Sequence, residues 1–293
     1  MSSRRQKAQG LIEYPKESHI IKRFTIETGS HEDKTYKKMI LTLFETENSI
    51  LLYLGGHSIY CVNAQVEKSK HGFFEEGNLI KVRYATECTV DSKFEEGKDT
   101  VLIVKLINTF IKNTYPDVIT LAFTDISTRE CDNTAKVSLV GMKLFTDGKT
   151  WYENRFNASI YPGYELVHET LMDRADSLKA NTSWDAFFDL LVPETDMPLR
   201  KEELEEIYTI SNTFQEFFRT IRDKIGISNL CIWFSVKSWF ESKFLKFVKF
   251  DPFSLKFLIT VNEFNEEYRI TPLTLGGWRG GNTRKLRRRR CRT

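Results

Sequence analysis

Lys143-Leu-Phe-Thr-Asp-Gly-Lys-Thr-Trp-Tyr-Glu-Asn-Arg-Phe-Asn-Ala158 is the stretch on which the reading of the chain turns. Asp147-Gly148 is a stop signal for a helix arriving from the N-terminal side, because glycine takes the left-handed conformation of a helix C-cap without steric cost. A second short helix is expected from about Lys149 to Arg155, with Trp151, Tyr152 and Phe156 turned to the core. Rings of that size are costly to leave in water, so the stretch should lie under a sheet. Glu153 reads as the exposed i, i+4 partner of Lys149.

Upstream of it, strand patterns come first. His19 to Thr28 reads as a strand, whereas Tyr36 to Phe44 fits strand or helix, since period alone does not separate them. Ile50 to Leu54 and His57 to Val62 flank Gly55-Gly56 as two strands joined by a glycine turn, and Leu79 to Cys88 alternates as a fourth strand. After Lys93 the pattern changes. Apolar positions 101, 104, 107, 110 and 111 trace one helical face from Val101 to Thr114, with Asp99 as its cap and Pro116 beyond its end. Val118 to Thr124 is then a compact strand, so a strand, a crossover helix and a parallel strand are expected. A helix over Thr134 to Thr146 leads into the opening stretch.

Downstream, Tyr161-Pro-Gly-Tyr164 is a turn, and Tyr164 to Lys179 and Trp184 to Leu191 have helical patterns. Pro193 and Pro198 mark the expected domain boundary. Apolar positions 204, 207, 214, 217, 218, 221 and 225 predict one long helix from Leu199 to Ile225. Leu230 to Phe250 predicts a second, aromatic helix. Its Lys237-to-Phe250 half, with Trp239, Phe240, Phe244, Leu245 and Phe247 between lysines, reads as an interfacial amphipathic helix or, more commonly for such segments, as a buried helix whose lysines extend to water. Phe257 to Val261 and Glu267 to Pro272 are expected to pair as a closing hairpin.

The 293 residues are 41% hydrophobic and 28% charged, as in soluble globular proteins, but 22 of them are Phe. No apolar run is long enough for a spanning helix, and Met1 to Arg5 lacks the apolar core of a secretory signal. Cys61, Cys88, Cys131, Cys231 and Cys291 form no CxxC pair and read as free thiols of a reducing compartment. The five histidines show no metal-ligand spacing, so no metal is expected. Neither a nucleophile-elbow pentapeptide nor a Walker loop is present, which leaves hydrolase and nucleotidase readings without support. Of the 43 basic residues, eight lie between Arg279 and Thr293 with no acid among them, leaving 35 basic against 40 acidic residues in 1–278. The body is thus mildly acidic and the tail strongly basic.

Trp151-Tyr152-Glu153 followed by Phe156 and Ala158 resembles the segment that closes GNAT-type acetyltransferase domains. The longer string from Gly148, together with Gly97, Thr100, Pro116, Asp125, Ser127 and Cys131 in order, is similar to a family of uncharacterised proteins of nucleocytoplasmic large DNA viruses. The resemblance covers about residues 79–184. The expected fold is α+β: the resemblance implies a GNAT-like mixed sheet with flanking helices over 18–192, and the pattern and composition of the rest imply a C-terminal helical lobe with a small hairpin over 193–275, a basic arm over 1–17 and a disordered Arg-rich tail over 276–293.

In active GNAT proteins the loop before the crossover helix gives backbone N–H groups to the coenzyme A pyrophosphate. The matching residues are Gly97, Lys98 and Thr100, but Glu95, Glu96 and Asp99 place carboxylates where phosphates would lie. The resemblance gives Tyr152 the place of the tyrosine that protonates the leaving thiolate; a core tyrosine is the alternative. Asp125 and Ser127 read as residues of a ligand-collecting sheet edge or as the cap of a following helix, and Cys131 as a thiol without a nearby histidine. Arg279, Arg284, Lys285, Arg287, Arg288, Arg289, Arg290 and Arg292 are the candidate nucleic-acid contacts, with an acidic protein, a localisation receptor or an anionic membrane surface as the other partners. The expectation is a noncatalytic viral protein without a cofactor, acting in the host cytoplasm at the virus factory or in the virion. An acetyl-CoA-dependent N-acyltransferase and a minor capsid or core component are the alternatives.

Overall fold

The computed structural model describes residues 19–273, apart from 31, 33, 58, 69–73, 83–87, 91–93, 96, 97, 126, 132–135, 192–195 and 253. The fold is α+β, with a large mixed sheet. The chain forms two compact units, one from residues 1–63, 81–103 and 266–293, the other from 64–80 and 104–265. The arm over 1–17 and the tail over 276–293 lie outside the described residues.

The first unit holds β1 (His19–Thr28), β2 (Lys37–Glu45), β3 (Ser49–Gly55), the start of β4 (Tyr60–Lys68) and β11 (Arg269–Pro272), side by side in the order β11-β1-β2-β3-β4. β1 pairs antiparallel with β2, placing Ile26 opposite Met39, and β2 pairs antiparallel with β3, placing Leu41 opposite Leu54. Every residue of β3 is buried, as are all of β2 except Lys38 and Glu45. A strand covered on both faces has no reason to alternate, which is why Tyr36 to Phe44 gave no decisive period. Phe44, Tyr53 and Tyr60 meet edge to face at 5.2 and 4.7 Å between ring centroids. The expected hairpin of Phe257–Val261 with Glu267–Pro272 does not form: β11 pairs with β1, with the Leu273 N–H donating to the Arg23 carbonyl at 2.9 Å.

In the second unit, β6 (Thr120–Thr124) is parallel to β5 (Phe74–Val82) through Gly77 and Leu121, and antiparallel to β10 (Lys256–Thr260). β10 pairs on its other edge with β9 (Ser159–Ile160), so both its edges are taken. The crossover is α1 (Lys98–Thr114), whose Val104, Ile107 and Ile111 are fully buried. The order of strand, crossover helix and parallel strand matches the reading of the sequence, but the first strand spans Phe74–Val82 and not Leu79–Cys88. Gly77 has no room for a side chain against β6: a Cβ there would stand 2.2 Å from the Leu121 side chain.

After β6 the chain departs from expectation. A hairpin of β7 (Thr128–Glu130) and β8 (Lys136–Ser138) takes the first turns assigned to a helix from Thr134, and α2 spans only Leu139–Asp147. The Ser138 hydroxyl caps α2 by accepting the Gly141 N–H. Gly148, at φ 73°, closes it in the left-handed conformation, with its N–H on the Leu144 carbonyl. α3 spans Trp151–Phe156, and Thr150 and Glu153 form a capping box: the Glu153 N–H donates to the Thr150 hydroxyl and the Thr150 N–H to the Glu153 carboxylate. Glu153 is therefore a cap, not the partner of Lys149.

The rest of the unit is helical: α4 (Glu165–Asn181), α5 (Trp184–Phe188), α6 (Lys201–Ile210), α7 (Phe214–Ile225) and α8 (Ile227–Ser235). The single helix expected over Leu199–Ile225 breaks at Ser211–Thr213, because the Thr213 hydroxyl caps a new helix by accepting the Glu216 N–H at 3.0 Å. Leu230–Phe250 is likewise interrupted. Lys237 and Ser238 have φ of 48° and 52°, and beyond them come a π-helical turn, Phe240–Phe244, and α9 (Leu245–Phe247). Trp239, Phe240, Phe244 and Leu245 are all at most 2% exposed, so this segment is a buried one and not an interfacial helix. Lys237 reaches Asp196 at 3.3 Å, on the outside.

Residues 104–191 and 196–265 share one unit, so the compact units do not divide at Pro193 and Pro198. The reason is a common core: Phe187 of α5 packs on Tyr208 of α6 at 4.9 Å and on Phe214 and Phe217 of α7 at 5.1 and 5.4 Å. Phe187→Ala should lower unfolding stability by about 3–5 kcal/mol, the cost of truncating a buried aromatic. Urea denaturation followed by tryptophan fluorescence checks this; a loss below about 1 kcal/mol would mean that the ring is not shared by the flanking helices.

Candidate functional site

The loop matched to a coenzyme-binding turn belongs to the first unit. Gly97 lies outside the described residues; Lys98 is exposed and Thr100 half-buried in the first turn of α1. Asp99 is 3% exposed and turned inward, where its carboxylate meets the Lys37 ammonium at 2.8 Å and accepts the Glu95 N–H at 2.6 Å. The Asp99 N–H in turn donates to the Glu95 carbonyl. Asp99 therefore does not repel an incoming phosphate from the surface, as its charge suggested. It uses the Lys37 ammonium and the Glu95 N–H itself.

The cysteines are paired. Cys61 and Cys88 form a disulfide in the first unit, and Cys131 and Cys231 form another in the second, 100 residues apart in sequence. The free-thiol reading is corrected for these four, and Cys291 lies outside the described residues. Dispersed spacing hid the bonds because each partner comes from a different element, which no local motif reveals.

Tyr152, Asp125 and Ser127 come together in the second unit, at the C-terminal end of β6. Tyr152 is held by the α3 capping box and packs its ring on Phe123 of β6, 4.4 Å between centroids, and on Phe156. Burial pushes its phenol well above the ordinary range, and the Asp125 carboxylate nearby pushes the same way. Asp125 is 2% exposed. Its Oδ1 accepts the N–H of Ser127 at 2.9 Å and the Ser127 hydroxyl, while its Oδ2 is buried without a hydrogen-bond partner. The two contacts make an Asx-type turn that starts the β7–β8 hairpin, and the Leu139 N–H closes the other foot on the Ser127 carbonyl at 2.9 Å. The segment that follows is a strand, so the helix-cap reading of Asp125 fails. Burial raises the Asp125 pKa, and the two Ser127 contacts oppose the shift without cancelling it.

None of the known protein families, curated proteins or solved structures matches this chain. Its chemistry has to be read from its own residues. Among those described, no three or more His, Cys, Asp or Glu side chains gather as metal ligands, and no helix is long and apolar enough to cross a membrane. Arg279, Arg284, Lys285, Arg287, Arg288, Arg289, Arg290 and Arg292 lie outside the described residues.

Three polar arrangements carried no sequence signal. Lys37 completes the Asp99 pair from β2. Glu241 of the π turn accepts the Ser138 N–H at 2.6 Å from 103 residues away, and burial raises its pKa against that contact. Lys179 of α4 lies 3.7 Å over the Tyr208 ring, where burial lowers its pKa against the pull of Glu216. Each joins distant elements, so no spacing rule exposes it.

Asp125→Asn keeps the shape of the buried carboxyl and removes its charge. Because the folded pKa is raised, the folded protein holds the proton more tightly than the unfolded chain. The stability this confers is complete below the unfolded carboxylate pKa of about 3.9 and is lost as pH rises through the folded value. The variant should therefore have a higher urea midpoint than the parent at about pH 7.5, with the gain shrinking toward about pH 4. An equal difference at both pH values would show that Asp125 titrates as an ordinary surface carboxylate.

Proposed function

We propose that the chain is a noncatalytic binding protein, an α+β body that holds nucleic acid, or an acidic virion protein, through the segment from Arg279 to Arg292. The observation that carries this reading is the separation of charge: eight cations and no acid over 279–293, on a body of net −5. Such a segment has almost nothing apolar to bury, and guanidinium groups pair with phosphate oxygens by two parallel hydrogen bonds. The resemblance of Gly148–Ala158 to proteins of large DNA viruses supports a place in the virus factory or the virion, including as a minor capsid or core component.

An acetyl-CoA-dependent N-acyltransferase on a GNAT-like sheet is the second reading, favoured by the parallel pairing of β5 with β6 after a crossover helix. Two observations weigh against it. Asp99 and Glu95 consume each other's backbone donors at the start of α1. Tyr152 is 6% exposed and its phenol is shifted upward, so passing a proton to a thiolate whose own pKa is about 8.5 is uphill.

Removal of the residues after Gly277 tests the first reading. If six of the cations meet phosphates, duplex DNA binding should fall with salt at a log–log slope of about −5, and the truncated chain should lose both the binding and the slope. Unchanged retention would overturn the reading. Calorimetry with acetyl-CoA tests the second: micromolar binding that disappears in Gly97→Trp would establish the acyltransferase instead.

A further inference from the structure

The two disulfides differ in what a solvent-borne reagent can reach. Cys61 and Cys88 are both 0% exposed. In the other pair Cys231 is 1% exposed, set in α8 between Leu230 and Trp233, whereas Cys131 is half-buried directly after β7. Exchange proceeds by attack of a thiolate on one sulfur of the bond, so access to that sulfur governs which bond opens. Of these four residues Cys131 alone is not fully buried.

We propose that Cys131 Sγ is a thiol-exchange site, at which a low-molecular-weight thiol forms a mixed disulfide and releases the end of β7 from α8. The thiolate attacks Cys131 Sγ and the Cys131–Cys231 bond breaks. The Cys231 sulfur leaves with the bonding pair and takes a proton from water. Attack by a second thiol on the mixed disulfide frees Cys131 as a thiolate, so two reagent thiols are oxidised to their disulfide for each protein disulfide reduced to two thiols.

The hairpin is suited to respond. Its strands are three residues each, too short to persist as an isolated pair, and Thr128, Glu130 and Lys136 are exposed. The β8 strand keeps the Glu241 contact to Ser138 and leads directly into the capped start of α2. The β7 strand is tied to α8 by the disulfide. Opening the bond therefore loosens the β7 side while β8 stays docked. The proposal stands apart from the reading of the tail, since no step of it involves residues 274–293.

The test treats the full-length chain with reduced glutathione under native conditions, alkylates at intervals and maps the cysteines by mass spectrometry. Glutathione should appear on Cys131 and the alkyl group on Cys231 at least roughly tenfold faster than any change at Cys61 or Cys88. Amide hydrogen exchange should rise at 128–130 and remain unchanged in β6 and β10. Equal reactivity of the two bonds, an adduct on Cys231 in place of Cys131, or alkylation of Cys131 before glutathione is added would each overturn it. In Cys231→Ser, oxidised glutathione should load Cys131 directly; failure of a folded variant to react would count equally against the site.

Discussion

Phe244 lies inside a ring of six aromatic side chains, and the second unit depends on that arrangement. Phe145 of α2, Phe214 and Phe218 of α7, and Phe240 of the π turn have centroids 4.9 to 5.3 Å from it, and Phe187 and Trp239 stand at 6.4 Å. Most of these pairs are edge to face, the geometry in which the positive rim of one ring meets the negative face of another. The ring joins elements far apart along the chain. It explains the high Phe content and why the prolines at 193 and 198 do not part the chain.

Charged groups are settled in three different ways. Asp99 has a full counter-ion in Lys37 and a backbone donor in the Glu95 N–H, at the start of α1. Glu241 has one backbone donor and partial burial. Asp125 satisfies one oxygen on its own turn and leaves the other dry. A buried carboxylate without a counter-ion is costly, and the response of least free energy is to take up a proton. These are the signatures of side chains that hold turns and helix starts. Tyr152 and Asp125, the residues most suggestive of chemistry in the sequence, serve the packing of α3 on β6 and the entry to the hairpin.

Where a signal was local, the sequence was legible. Asp147-Gly148 marked the end of α2, the glycine pair at 55 and 56 marked the β3–β4 turn, and the apolar face from 101 to 111 together with Val118–Thr124 disclosed the parallel crossover. The readings that failed share one cause, which is competition from partners that periodicity does not register. Ser138 and Thr213 begin helices where periodicity alone ran on, because a hydroxyl cap outweighs continuation of the apolar stripe. β11 was matched to the nearest strand in sequence, although β10 already had neighbours on both edges. The cysteine pairs and the Lys37–Asp99 contact depend on the folded arrangement, so neither spacing nor composition carried them.

The π-helical turn at Phe240–Phe244 bears on how this chain tolerates changes in length. Its widened loop, closed by the Leu245 N–H on the Phe240 carbonyl, accommodates one residue more than an α-helical turn of the same span. Shortening it by one position would restore regular winding but rotate everything beyond by about 100°. Phe244 would then leave its socket, and Leu245 and Val248 would swing toward solvent. A deletion within the turn would therefore have to be matched by an insertion before Val248 to keep the apolar face in place.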